Sequence, residues 1–425
     1  MKREFFIKKR NELLARMPLN AICIIQCNDA MPRNGDLFFP FRQNSDFFYL
    51  TGINQEESTL VLWKGATNID FKELLFIVRA TEHMTIWQGE KLNLKQAHDC
   101  SGIQDIVFND EQEEILNTLL NNSMICLFNT NENPRFKSEV PSKDARFIEK
   151  IKLSFSWLKF QSVAPLLKAM RIIKDDEEIK QIRKACSITG MAFNAILKNI
   201  HTMRNEAEVE ALIAKIFIEN GAKHAFETIA AGGKSACYLH YIFNNKELNP
   251  NDLILIDFGA EYSNYASDCT RTIPIGGLFS NRQKELYAAV YNTLNFAMKL
   301  IKPGISINAI QTKVIEYIDN VLIELGFYTI HDRLKQDPIN PLYKKYFMHG
   351  ISHFMGLDVH DYGTKDELLV PGMVLSCEPG IYILDEGIGI RLENTMLVTT
   401  DGSENLTSLI PIDAQDIELL LSRSK

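Results

Sequence analysis

In the first third of the chain, apolar residues come in short runs: Ala21 to Gln26, Ser58 to Trp63, Glu73 to Val78 and Ser123 to Asn129. Runs of this length, bounded by polar and turn-forming residues, read as strands. Glu111 to Asn121 carries its Ile and Leu residues at helical spacing and reads as an amphipathic helix between two of those strands. Strands interleaved with helices predict an α/β domain over residues 1–172. From Asp175 the period changes. Asp175 and Glu178 have the spacing of a capping box, and Ile179, Ile182, Ala185, Cys186 and Ile188 then recur at helical intervals. Glu206 to Asn220 and Ile307 to Leu325 share that pattern, the latter stopping at Gly326 as a glycine cap requires. Glycine- and proline-rich hairpins fill the remainder, so residues 173–425 predict a second domain of antiparallel strands covered by helices. The acidic run Asp175 to Glu178 and the basic run Lys8-Lys9-Arg10 both read as solvated helix surface.

Composition narrows the class without changing this picture. A chain of 425 residues exceeds ordinary single-domain size, and 46% hydrophobic with 24% charged residues suits a compact globular protein. The net charge of −8 lacks the basic footprint that nucleic acid demands. No secretory signal and no membrane-length apolar run is read, and eight scattered cysteines read as buried thiols of a reducing compartment, so a cytoplasmic location is expected.

The chemistry is concentrated in two acidic hairpins and a histidine segment. Leu253 to Gly259 is an apolar strand ending in Asp257, and Ser267 to Thr272 supplies Asp268 after a turn-prone connection at Glu261 to Asn264. In an antiparallel pair the two carboxylates can face each other. Ser376 to Gly380 and Gly389 to Glu393 repeat the device with Glu378 and Glu393. Between the hairpins, His349, His353 and His360 place three of the nine histidines within twelve residues. Singly, each acidic residue would more often be a turn or surface residue. Together, four carboxylates on strands built for burial would repel and desolvate one another unless a cation neutralised them. Hard oxygen ligands with one or two imidazoles suit Mn²⁺, with Co²⁺, Fe²⁺ or Zn²⁺ also accommodated, and two such ions can hold a hydroxide usable at neutral pH.

The order Asp257, Asp268, His353, Glu378, Glu393, inside IDFGAEYSNYASDCTRT, FMHGISHFMGLDVHD, VLSCEPGIYI and GIGIRLEN, resembles the pita-bread metallopeptidases and, within them, the aminopeptidase P family. HAFETIAAGGKSACYLHY and RQNSDFFYLTGINQEESTLVL extend the likeness over nearly the whole chain. The resemblance implies a creatinase-like N-terminal α/β domain followed by a catalytic pita-bread domain, α/β (α+β) overall. It implies one ion on Asp257, bridging by Asp268 and Glu393, a second ion completed by His353 and Glu378, and Glu378 as proton acceptor. It implies that His240, His349 and His360 orient substrate and stabilise its transition state, that Arg391 and Tyr382 line the pocket, and that Trp87 reaches the substrate cleft. It further implies cleavage between an N-terminal residue and a following proline, peptides as the only partners, and a homodimer or homotetramer whose contacts involve the N-terminal domain. Departures are the short second hairpin at Leu384-Asp385-Glu386, Asn394 where an acidic residue is common, and no arginine from Tyr362 to Val370. A prolidase shares fold and ligands and is the nearest alternative. A metal-free binding protein on the same fold would normally have lost ligands that are all present here.

Overall fold

The computed structural model describes residues 1–130, 133 and 139–423, and the chain divides into two compact units, Met1–Met170 and Arg171–Lys425. The first unit is built on a six-stranded mixed sheet. From edge to edge it runs Asp105–Phe108, Phe71–Ile77, Thr59–Lys64, Ala21–Gln26, Ile125–Phe128, Lys159–Ser162. Alternation along the strands sends Ile22, Ile24, Val61, Leu74 and Phe76 to one face, where Leu116, Leu119 and Leu120 of helix Gln112–Asn121 and Ile148 and Ile151 of helix Lys143–Ser154 cover them. In the basic run on the first helix, Arg3–Arg16, Lys8 is exposed but the two residues after it are not. Lys9 and Arg10 are buried: the Arg10 guanidinium donates to Glu73 and to the Leu50 carbonyl, and the Lys9 ammonium lies 5.1 Å from the ring centres of Phe5 and Tyr49. Long cationic side chains bury their stems when the head finds acceptors or aromatic faces, and no sequence period reveals that.

The second unit begins with helix Asp176–Asn199, capped as its sequence spells: Asp175 accepts the Glu177 and Glu178 N–H groups, and Glu178 accepts the Asp175 N–H. Glu178 is itself buried and accepts the Tyr265 hydroxyl, so this member of the acidic run is not solvated. Helices Glu206–Glu219, Asn281–Leu300, Ile307–Glu324 and Ala414–Ser422 complete the cover. Beneath them, among the described residues, the strands form four short sheets in which every pairing is antiparallel.

The breaks between these sheets coincide with the acidic residues. One ribbon runs from Leu253 to Pro274, pairing Phe258 with Cys269 and turning at Ser263 and Asn264, whose φ angles of 50° and 64° are those of a two-residue hairpin turn. Thr270, not Asp268, lies opposite Asp257. Asp268 is therefore the diagonal neighbour of Asp257 on the same face, a correction to the face-to-face expectation. Between them the ribbon narrows at Gly259, where an added Cβ would fall 1.9 Å from the Ser267 carbonyl oxygen, so only glycine fits.

The other acidic pair sits in a gap within a second ribbon. Val374–Cys377 pairs with Asn394–Val398, and Gly380–Ile383 pairs with Ile388–Arg391 in the same register, leaving Glu378 and Glu393 facing each other across the interruption. Their N–H groups turn outward, Glu378 to the Ile351 carbonyl and Glu393 to the Thr270 carbonyl. The second of these bonds ties one ribbon to the other. Arg271, fully buried, reinforces the tie by donating to the carbonyls of Thr270, Glu393, Ile410 and Pro411 and to the Asn394 side chain. Asn394 thus serves as an acceptor for a buried arginine, with the Thr407 hydroxyl on the same oxygen.

Candidate metal centre

Five elements deliver the acidic and imidazole groups to one place. Asp257 comes from the centre strand of the sheet ordered Cys269–Pro274, Leu253–Phe258, Ile229–Gly232, and Asp268 from the residue just before its edge strand. Glu378 and Glu393 come from the gap in the second ribbon. His353 lies on a segment laid against Val374–Cys377, where its carbonyl accepts the Ser376 N–H and its N–H donates to the Ser376 hydroxyl.

The resulting distances are short. His353 Nε2 is 3.4 Å from Asp268 Oδ2 and 3.5 Å from Glu378 Oε1, and ligand atoms of Asp268, His353 and Glu393 all lie within 4.8 Å of one another. Asp257 Oδ1 and Asp268 Oδ1 are buried with no hydrogen-bond partner among the described residues. Native interiors rarely leave a carboxylate oxygen in that state, and a cation is the partner that an oxygen with no donor near it requires. The donor set, carboxylates with one imidazole and no thiolate, fits hard divalent ions.

Electrostatics point the same way. Burial pushes the Asp268 and Glu393 carboxyls well above the usual carboxylate range, and the neighbouring carboxylates of the cluster push them further. Glu378 moves in the opposite direction. Burial would raise it, but His353, His349, Arg391 and the Ser376 hydroxyl outweigh burial and hold it below its ordinary value. Glu378 is therefore the more readily ionised carboxylate, while Asp268 and Glu393 hold their protons to higher pH than free carboxyls wherever no cation offsets them.

A hydrogen-bonded chain braces the site from one side. Arg391 Nη2 donates to Asp257 Oδ2 at 2.6 Å, its Nη1 donates to the Tyr382 hydroxyl at 2.9 Å, and its Nε donates to Thr270 Oγ1 at 3.1 Å. Thr270 in turn donates to Glu393 Oε2 at 2.7 Å. The His349 ring meets the Gly350 carbonyl at Nδ1 and the Tyr382 hydroxyl at Nε2, 2.9 and 2.8 Å away. Those partners assign the proton to Nδ1, so Nε2 accepts from Tyr382. Burial depresses the His349 pKa, in keeping with a neutral ring, and raises Tyr382 to about 12. In this arrangement the His349 ring is tied to the Tyr382 hydroxyl through Nε2.

His360 stands edge-on to the His353 ring, centroids 4.4 Å apart. His240 is exposed, on the irregular loop that follows strand Ile229–Gly232. Trp87 belongs to the other unit, on helix Glu82–Gln88, and is 74% exposed. Sequence reading missed Thr270 and Ser376, both hydroxyls that orient acidic residues. Strand alternation was the available signal, because Thr270 is two residues past Asp268 and Ser376 two before Glu378, each on its neighbour's face.

Residues 180–400 match the model of metallopeptidase family M24, and residues 6–127 match the aminopeptidase P N-terminal domain. The Xaa-Pro aminopeptidase of Escherichia coli is 33% identical over 99% of this chain and 98% of its own length. That of Haemophilus influenzae is 32% identical over 99% and 97%. Among solved structures, aminopeptidase P from E. coli with the inhibitor Pro-Leu superposes with a TM-score of 0.90 at 32% identity, covering 100% of this chain and 99% of that one. Proline aminopeptidase P II from Yersinia pestis gives 0.89 at 32% identity, covering 100% of both. With both domain models matched in order and full-length relatives above 30% identity, this chain belongs to metallopeptidase family M24, in the group that carries the aminopeptidase P N-terminal domain.

Proposed function

We propose that this chain is a divalent-metal-dependent aminopeptidase that hydrolyses the bond between an N-terminal residue and a following proline. The observation that carries the reading is the convergence of Asp257, Asp268, His353, Glu378 and Glu393, with two buried carboxylate oxygens left without donors. Asp257 would hold one cation, Asp268 and Glu393 would bridge, and His353 with Glu378 would complete a second site. Two divalent cations, Mn²⁺ best matched to this oxygen-rich set, would supply Lewis acidity and a nucleophile usable at neutral pH.

The chain's own residues divide the remaining work. Glu378, held ionised by its neighbours, takes a proton from the attacking water and passes it to the proline nitrogen as that nitrogen leaves. The scissile bond is a tertiary amide whose nitrogen offers no hydrogen, so substrate must be held through its carbonyl oxygens and the ring's shape. His240 and His360 orient those carbonyls. Arg391, charged and tied to Asp257 and Tyr382, fixes the Asp257 carboxylate in place.

The cellular setting belongs to the same reading. Eight scattered cysteines, most of them buried, suit a reducing, cytoplasmic compartment. No helix among the described residues is long and apolar enough to cross a membrane. A homodimer or homotetramer, with contacts made by the N-terminal unit, completes the proposal.

The test is hydrolysis of a Xaa-Pro-Xaa tripeptide, a Xaa-Pro dipeptide and a proline-free tripeptide by chelator-stripped protein, before and after Mn²⁺ addition. The expected result is Mn²⁺-dependent cleavage of the first peptide alone. Cleavage of the dipeptide alone would reassign the chain as a prolidase, and no cleavage with any divalent ion would overturn an enzymatic role.

A further inference from the structure

His240 lies on a stretch, residues 233–246, that opens with a short 3-10 helix at Gly233–Cys237 and then runs without helix or strand. One buried carboxylate holds it at three points. Glu206, 0% exposed, accepts the Gly232 N–H at 2.8 Å, the Tyr241 hydroxyl at 2.7 Å and the Lys246 N–H at 2.9 Å, which mark the start, middle and end of the stretch. The Glu206 N–H also donates to the Lys246 carbonyl.

Glu206 is the first residue of helix Glu206–Glu219, where an acidic side chain ordinarily serves its own helix. Here the capping is done by Asn205, which accepts the Glu208 N–H, and the Glu206 carboxylate is directed wholly at the loop. One turn along the same helix, Glu210 accepts Asn244 Nδ2, while Asn244, at φ 46°, also accepts the Ala230 N–H and donates to the Thr228 carbonyl.

The other side of the stretch is pressed against the metal-bearing ribbon. Tyr241 and Ala236 pack in one small apolar cluster with Tyr382, whose hydroxyl is shared by His349 and Arg391. At Gly389, opposite Tyr382 in the ribbon, an added Cβ would lie 2.3 Å from the Ala236 carbonyl oxygen, so the loop sits directly on the strand. A residue adjoining Tyr241 is thereby fixed between helix and ribbon. His240 is that residue.

We propose that Glu206 is a positioning residue for the peptidase reaction, holding His240 through the Tyr241 hydroxyl and the loop's two ends so that the imidazole meets the substrate. This rests on the role given to His240 in the proposed function. A buried carboxylate without a counter-ion is costly, and three donors from one loop are what offset that cost.

The test is a double-mutant cycle on full-length, Mn²⁺-loaded protein with Glu206→Gln, His240→Ala and the pair. It reads kcat and KM on a Xaa-Pro-Xaa tripeptide, Mn²⁺ stoichiometry and thermal midpoint. Each single change is expected to lower kcat/KM about tenfold, the pair to be no worse than His240→Ala, and Mn²⁺ stoichiometry to stay unchanged. Additive losses would overturn the proposal while leaving the role of His240 intact. An unaffected His240→Ala variant would overturn both. Should Glu206→Gln fail to fold, Tyr241→Phe replaces it in the cycle and is judged by the same additivity.

Discussion

Replacing Asp268 by asparagine should abolish peptide cleavage and, in the cation-stripped state, make the protein more resistant to heat. The two effects share one cause. Asp268 is buried, within 3.4 Å of His353 and inside the group formed with Glu393, and its Oδ1 has no donor. Removing its charge removes the ligand placed between the others, and the loss in kcat/KM should be on the order of 10³-fold or more, about 4 kcal/mol at the transition state. With cations absent, Asp268 ionises as pH rises, and its charge then suffers burial and the repulsion of Asp257 and Glu378, which outweigh the attraction of Arg391. An amide of the same shape relieves that repulsion, so stripped Asp268→Asn should melt above stripped wild type at pH 8. Asp385→Asn, in the exposed turn of the second ribbon, should change neither quantity. Cleavage assays and thermal melts on stripped and Mn²⁺-loaded protein check both limbs. A variant that lost activity yet melted below wild type when stripped would contradict the account of the cluster as mutually repelling carboxylates.

The second large effect is on the pH dependence of stability. Asp268 and Glu393 sit well above their ordinary values of 3.8 and 4.5, so the folded protein without cations binds more protons than the unfolded chain in the range above those values. Stability from these two groups is complete below their ordinary values and is lost as pH rises through the raised ones. Two groups of the site act oppositely. His349, depressed below 6.5 by burial, costs stability only as pH falls under that value, and Glu378, held below 4.5, only at still lower pH. Above pH 6.5 the raised carboxylates therefore decide the sign. Asp144 of the N-terminal unit, raised to about 8, has the same sign but lies outside the site and cancels when loaded and stripped protein are compared.

Cation binding displaces the retained protons, so the gap between loaded and stripped melting points should widen from pH 6.5 upward. At a hundredfold excess over Kd the stabilisation is about 2.7 kcal/mol, roughly 5–10 °C for a unit of this size. Melts across pH 6.5 to 9 with chelator or Mn²⁺ measure it. A gap independent of pH would show that Asp268 and Glu393 are not protonated in the stripped state.

Much of this site was legible because its chemistry conflicts with its setting. Asp257 closes the apolar run Leu253 to Ile256, and Glu378 follows Val374 to Cys377, so each carboxylate stands where a strand should be hydrophobic. The geometry inside the ribbons was less legible. That Asp268 is diagonal to Asp257 depends on a turn placed at Ser263 and Asn264, two residues inside the stretch that composition marks as turn-prone. The edge strands Asp105–Phe108 and Lys159–Ser162 were missed because edges tolerate polar residues and these are four residues long. Helix Asn281–Leu300 was also missed, although Ser280 and Gln283 spell its capping box. Glu206 could not be read at all. A glutamate opening a helix looks like a residue serving the helix dipole, and only the path of a distant loop shows that it serves His240 instead.

The most direct measurement is a titration of cation-stripped protein with Mn²⁺, with bound ions counted by calorimetry and Xaa-Pro-Xaa cleavage followed in the same samples. The account predicts two ions per chain and cleavage that appears as they bind. Full cleavage with no ion bound, or two ions bound with no cleavage, would contradict it.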